Sequence, residues 1–221
     1  YNERRQQDSI KLFEIADIYL HSFYEPKRYI GIIVSGRVDN NYRDFAKKLD
    51  KKYLNNFLEQ HIGKIDSSYV TTIDRDNFKS QSNDDIAYLE IELDKLDLTR
   101  NNSNEINRIK KLDKKYIPIS EYPSSIRDLS FSITDFSQSK PLQDYLLNFQ
   151  NVLLKDVFIF DYFYNEKKAE IKIGFRFIFE SKKATITEKE INKIIKEIVK
   201  YSNSINGVTI PGLDASFYKD Q

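Results

Sequence analysis

The sequence predicts an α+β protein in two parts, on three observations. Residues 98–115 are polar and charged (TRNNSNEINR, KKLDKK) and separate two stretches of patterned apolar sequence. Beyond that break, apolar spacing switches between a period of two and a period near 3.6, in the order β-α-β-β-α-β. Before it, strand-like and helix-like patterns alternate as in a mixed α/β domain. The expected organisation is therefore a first domain over 1–97, a linker over 98–115 and a second domain over 116–221.

In the first half, residues 10–20 and 29–34 are rich in Ile, Leu, Phe and Tyr and read as two strands around a turn at Glu25-Pro26-Lys27. From 42 to 58, Phe45, Leu49, Tyr53 and Phe57 fall four apart, which predicts an amphipathic helix. Two more strands are expected over 68–73 and 86–93. In the latter, Leu89, Ile91 and Leu93 alternate with Glu90, Glu92 and Asp94, so one face is buried and the other wet.

The second half opens with a strand in which Leu129, Phe131 and Ile133 alternate with Asp128, Ser130 and Ser132. A helix opened by Ser139 and Pro141 carries Leu142, Tyr145, Leu146 and Phe149 in one stripe. The run VLLKDVFIFDYF, the polar turn 165–168 and IKIGFRFIF then read as a hairpin, with Ile171, Ile173, Phe175, Phe177 and Phe179 on one side. Thr187 and Glu190 form a capping box before a helix striped with Ile191, Ile194, Ile195 and Ile198, and Gly207 precedes a short last strand over 208–210. This is the split β-α-β order of a ferredoxin-like sandwich, whose two helices cover one face of a four-stranded antiparallel sheet. The other face is expected to show Ser130, Ser132, Lys172, Gly174 and Arg176, a small, polar and locally basic surface.

Composition narrows the chemistry. At 40% hydrophobic the chain of 221 residues is too apolar for disorder despite 31% charged residues. Lys and Arg (35) balance Asp and Glu (34), so only a local face, not a global field, can attract nucleic acid. With no Cys, disulfides and thiolate chemistry are excluded, and a reducing, cytoplasmic compartment is expected. His21 and His61 lie in no metal-ligand spacing, the six Gly form no phosphate-binding loop, and no apolar run approaches the length of a membrane span. No metal or cofactor is expected in this chain, and nothing in it assembles a catalytic constellation. The chain begins at Tyr1, without Met, and reads as a fragment of a longer protein.

Several segments resemble one family. Tyr122-Pro123, Ser124-Ser125 and Arg127-Asp128-Leu129, then FIFDYF, then GFRFIFESKKATITEKEIN are similar, in order and spacing, to the C-terminal domain of the beta subunit of bacterial phenylalanyl-tRNA synthetase. RRQQDSIKLFEIADIY resembles the lead into the preceding synthetase-like domain of that family, with Ala16 where a Gly is usual. The resemblance implies that 1–97 is the closing part of a non-catalytic domain built like a class II synthetase. It also implies that 116–221 is a ferredoxin-fold anticodon-binding domain. Implied partners are phenylalanine tRNA and the alpha subunit of a heterotetramer, which carries catalysis with ATP and Mg2+.

Carried over from the family, the anticodon-contacting Asp falls on Asp161, the stacking aromatic (Tyr in the family) on Phe163, and the small loop residues on Ser124 and Ser125. A Ser frequent in the third strand becomes Lys172, and an Arg near the end of the fourth strand becomes Pro211. From the residues themselves, Asp161 and Phe163 are two apart on one strand and share a face, so a carboxylate could accept from a guanine edge while a ring stacks on a base. The alternative for Asp161 is a strand-end charge. Arg176 either crosses the open face toward phosphate or pairs with Glu180 or Glu170. Lys182 and Lys183, in the turn before the last helix, are either phosphate contacts or a solvated charge run. Arg127 reads as structural, paired to a carboxylate or to carbonyls. The competing function is a ferredoxin-like small-ligand sensor or a subunit-assembly module.

Overall fold

The computed structural model describes residues 9–19, 25–63, 65–74, 83–96, 118 and 120–213. Its described residues form two compact units: those up to Val38 and from Lys47 to Pro118, and those of Asp39–Ala46 and from Ser120 onward. The expected linker 98–115 lies outside the described residues.

In the N-terminal unit, β1 (Ser9–Ile18), β2 (Lys27–Gly36), β3 (Val70–Ile73) and β4 (Ile86–Glu92) form an antiparallel sheet in the order β1-β2-β4-β3. The expected alternation in β4 is present: Ala87, Leu89 and Ile91 are buried, and Leu93 leaves the strand in a short 3-10 turn. The helix is shorter than its four-residue spacing suggests. α1 covers Lys51–His61, because Asp50 is extended and its carboxylate accepts from the Tyr53 amide at 2.7 Å, which fixes the helix start. α1 buries Leu54 and Leu58 against Val34, Val70, Ala87, Leu89 and Ile91. Phe45 belongs to neither the helix nor this core. The neck of the excursion is closed by a bridge between Arg37 and Lys48 and by the Val38 amide on the Lys47 carbonyl at 3.1 Å. The residues between, Asp39–Ala46, belong to the other unit.

The C-terminal unit contains β5 (Ser125–Ile133), α2 (Ser139–Leu147), β6 (Leu154–Asn165), β7 (Glu170–Phe179), α3 (Glu188–Asn203) and β8 (Val208–Thr209). Its antiparallel sheet runs β6-β7-β5-β8, the ferredoxin-like order expected. The odd-numbered residues of β7 from Ile171 to Phe179 and Leu129, Phe131 and Ile133 of β5 are buried with Leu142 and Leu146 of α2 and Ile191, Ile194, Ile195 and Ile198 of α3. Phe149 lies past the end of α2 but still packs against this core. Gly207 has φ +74°, and a Cβ there would meet the Asp135 backbone nitrogen at 2.9 Å, so only glycine suits the turn into β8.

α3 starts with the capping box the sequence announces. Glu190 accepts from the Thr187 amide at 2.8 Å, and the Thr187 hydroxyl accepts from the Glu190 amide. Arg127 is structural: it donates to the Ile126 carbonyl at 2.7 Å and pairs with Glu188 in the first turn of α3. The Thr187 amide holds the Glu190 carboxyl below its ordinary value, and the Arg127 guanidinium does the same for Glu188. A depressed folded-state pKa means the stabilisation is present above the ordinary value of 4.5 and is lost as pH falls through the lower folded value. Thr187→Ala is expected to cost about 1 kcal/mol in urea unfolding at neutral pH. Glu190→Gln is expected to lose less stability than the parent chain on acidification below pH 4.5, the ordinary glutamate value. Equal acid sensitivity of the two would contradict the role of the cap.

Candidate nucleic-acid interface

Residues opposite one another in an antiparallel pair share a face. With the odd residues of β7 against the helices, Lys172, Gly174 and Arg176 face away, as do their β5 neighbours Ser132, Ser130 and Asp128. On β6, Phe158 lies opposite Arg176 and shares that outer face, whereas Ile159, opposite Phe175, points to the helices. Strict alternation would then turn Asp161 inward. A bulge between Ile159 and Asp161 inserts Phe160 and shifts the phase, so Asp161 pairs with Gly174 and Phe163 with Lys172, both on the outer face.

The middle of this face is aromatic rather than small and polar. Phe160 lies over Gly174, where a Cβ would stand 2.8 Å from the Phe160 ring. Phe45 adds a third ring, with centroids 5.7 Å from Phe158 and 5.6 Å from Phe160, and is 7% exposed. It is presented by a turn in which the Asn41 side chain accepts from the Arg43 amide at 3.0 Å and the Asn41 carbonyl accepts from the Phe45 amide at 2.8 Å. The Arg176 guanidinium lies 4.9 Å from the Phe45 centroid and 5.5 Å from that of Phe160, and it donates two bonds to Asp128, at 2.8 and 2.7 Å.

Arg176 is thus a correction to the sequence reading. Its guanidinium meets Asp128, a partner the reading did not offer beside phosphate and the carboxylates of Glu180 and Glu170. Those carboxylates accept from Lys155, at 2.6 Å, and from the Ser132 hydroxyl. Asp128, directly opposite Arg176 in the register, takes the planar guanidinium fork on both carboxylate oxygens.

The remaining candidate residues fall into two groups. Asp161, Phe163 and Lys172 lie together on the outer face, with Phe163 55% exposed and Lys172 half-buried. Ser124 and Ser125 stand at the start of β5, with Ser125 opposite Phe179, and Lys182 and Lys183 are exposed just beyond the end of β7. The Ser120 hydroxyl, bonded to the Ser181 carbonyl at 2.7 Å, holds these loops together. Ser124 is 4% exposed and so offers little surface to a ligand. The seven steps along β7 from Lys172 to Phe179 put the two groups roughly 23 Å apart at 3.3 Å per residue. Pro211, the other departure from the family pattern, is exposed just past β8.

Sequence reasoning missed Phe45, Phe158 and Phe160. One signal was available, since a lone glycine inside a strand, here Gly174, marks a bulge or the close approach of a large group. The assignment of Asp39–Ala46 to this unit had no such signal, because its partners are remote in sequence.

Residues 120–210 match the model of the ferredoxin-fold anticodon binding domain. The chain is 23% identical to the phenylalanine–tRNA ligase beta subunit of Carboxydothermus hydrogenoformans, over 95% of this chain and 29% of that protein. It is 24% identical to the beta subunit of Bacillus licheniformis, over 90% of this chain and 28% of that protein. The chain is similar to these beta subunits along most of its length. The chloroplastic beta subunit of Pyropia yezoensis is 33% identical over 55% of this chain and 17% of its own length. The resemblance read from Tyr122-Pro123, Arg127-Asp128-Leu129 and FIFDYF is borne out by these matches. The chain spans under a third of the length of the curated relatives it matches.

The packing of Arg176 and Phe45 predicts a stability effect. Arg176→Ala is expected to cost about 1–3 kcal/mol, and a double-mutant cycle with Phe45→Ala to show coupling of roughly 0.5–2 kcal/mol, read by urea unfolding. Additive losses would mean that ring and guanidinium act independently.

Proposed function

We propose that this chain is the tRNA-binding portion of a phenylalanine–tRNA ligase beta subunit, and that its ferredoxin-fold domain holds the anticodon stem and loop of phenylalanine tRNA. The observation that carries this reading is Phe163, exposed beside Asp161 on the sheet face turned from the helices, in the domain that matches an anticodon-binding family. An anticodon loop offers unstacked bases, which proteins take up by stacking on aromatic rings and by hydrogen bonds to base edges. Phe163 supplies the ring, Asp161 an acceptor for a guanine edge, and Lys172, Lys182 and Lys183 cations for phosphates. Ser124 and Ser125 would position the loop that leads into β5.

In this reading the alpha subunit of the heterotetramer carries aminoacylation, with its ATP and Mg2+, in the cytoplasm. Among the described residues no group of three or more His, Asp and Glu could hold a metal ion. None of the described helices is long and apolar enough to cross a membrane. The N-terminal unit would be the end of a synthetase-like domain that serves assembly. Support for an assembly role comes from the edge strand β1, where Leu12, Phe13 and Ile15 are 62%, 74% and 51% exposed.

Phe163→Ala is expected to weaken binding of any tRNA by about 1–3 kcal/mol, since every base has a face to stack. Asp161→Ala is expected to leave overall affinity nearer the wild type while narrowing the gap between phenylalanine tRNA and a variant whose anticodon guanine is replaced. Filter binding of both RNAs to each protein separates the two effects. Wild-type affinity and discrimination in both variants would rule out the outer face as the binding site. With about three phosphate contacts, log affinity should fall with log salt at a slope on the order of −2 to −3.

A further inference from the structure

The excursion that puts Phe45 on the sheet also carries two exposed side chains to its edge. Tyr42 and Tyr162 are 42% and 39% exposed, with ring centroids 5.5 Å apart and planes tilted by 40°. Arg43 donates from its side chain to the Tyr42 hydroxyl at 3.2 Å, and its guanidinium lies 5.6 Å from the Tyr42 centroid. Tyr162 lies between Asp161 and Phe163 on β6, an edge strand of the sheet. Its partner across the register is Ile173, so it points away from the face that holds its neighbours. An unpaired RNA strand that stacks on Phe163 can turn around the edge of β6 and meet the Tyr42–Tyr162 pair as its next aromatic surface.

We infer that Tyr42 and Arg43, presented by Asp39–Ala46 and paired with Tyr162, form a second nucleotide-binding position for single-stranded RNA: a ring to stack a base and a guanidinium to hold its phosphate. The inference rests on the tRNA-binding reading above and adds residues outside the ferredoxin-fold domain. Burial of Phe45 against Phe158 and Phe160 anchors the turn, so stacking on Tyr42 does not have to order a loose loop. The same packing withdraws Arg176 into its pair with Asp128, and Arg43 supplies an exposed guanidinium in its place. A planar fork beside a ring suits a nucleotide, since one takes the phosphate while the other takes the base.

Binding of the full chain to a phenylalanine tRNA transcript, measured by fluorescence anisotropy across a salt series, tests this. Tyr42→Ala is expected to weaken binding roughly 5- to 100-fold and Tyr42→Phe to keep wild-type affinity, because stacking needs the ring and not the hydroxyl. Arg43→Gln is expected to reduce the magnitude of the salt slope by about 0.7 to 0.9, one phosphate contact. Urea midpoints should hold, since both side chains are exposed. If Tyr42→Ala and Arg43→Gln bind with wild-type affinity and slope while Phe163→Ala binds more weakly, this inference falls and the anticodon-binding reading stands. If Phe163→Ala and Asp161→Ala also match the wild type, or the wild-type chain does not bind the transcript, both fall.

Discussion

Alternation along β7 is the constraint on which the C-terminal unit is built. As an interior strand it needs partners on both sides and cover on at least one face, and the helices take every odd residue from Ile171 to Phe179. Side chains in a strand point alternately up and down, so the even residues have no choice of face. Lys172, Gly174 and Arg176 are therefore outward whatever they do there. What happens on the outer face is decided by how β6 meets them, and the bulge at Phe160 makes that decision. It puts a ring over the one position with no side chain and turns Asp161 and Phe163 outward. The candidate RNA site and the aromatic cluster are two results of a single inserted residue.

The outer face is consequently a graded surface. At one end an exposed ring and a carboxylate stand beside a lysine; in the middle Phe45, Phe158 and Phe160 enclose a guanidinium already satisfied by Asp128. A half-buried charge that lies against two rings and is bonded bidentately acts as a packing element, because moving it to phosphate would break two charge-assisted bonds. In the proposed reading, electrostatic attraction for RNA comes from the rim: Lys172, the Lys182–Lys183 turn and Arg43. For a chain whose charges nearly cancel, such local placement matters more than total charge.

Legibility in the sequence followed range. The helix that Thr187 and Glu190 open, the Ile191 to Ile198 stripe and the row from Ile171 to Phe179 are written in neighbouring residues, and the structure reproduces them. Asp161 and Phe163 were legible as a pair because their spacing is two, though the face they occupy depends on a bulge that periodicity does not reveal. The errors lie where distant segments meet. Phe45 fits the four-residue spacing of Leu49, Tyr53 and Phe57, yet Asp50 starts the helix after it and its true neighbours are more than a hundred residues away. Arg176 was legible as unusual but not as paired, since Asp128 becomes its neighbour only through strand register.

The ring from Asp39–Ala46 also changes what counts as a domain here. The residues that match the family model begin at 120, yet the sheet they build is completed by a phenylalanine from far upstream. Cut at its sequence boundary, the ferredoxin fold would keep its strands and helices but expose Phe158 and Phe160 as a further apolar patch, an invitation to self-association. Gene fusion or transplantation of 120–210 alone would move a fold without its cover. For this protein the inheritable unit is the fold together with Asp39–Ala46, and recombination points between them should be tolerated poorly.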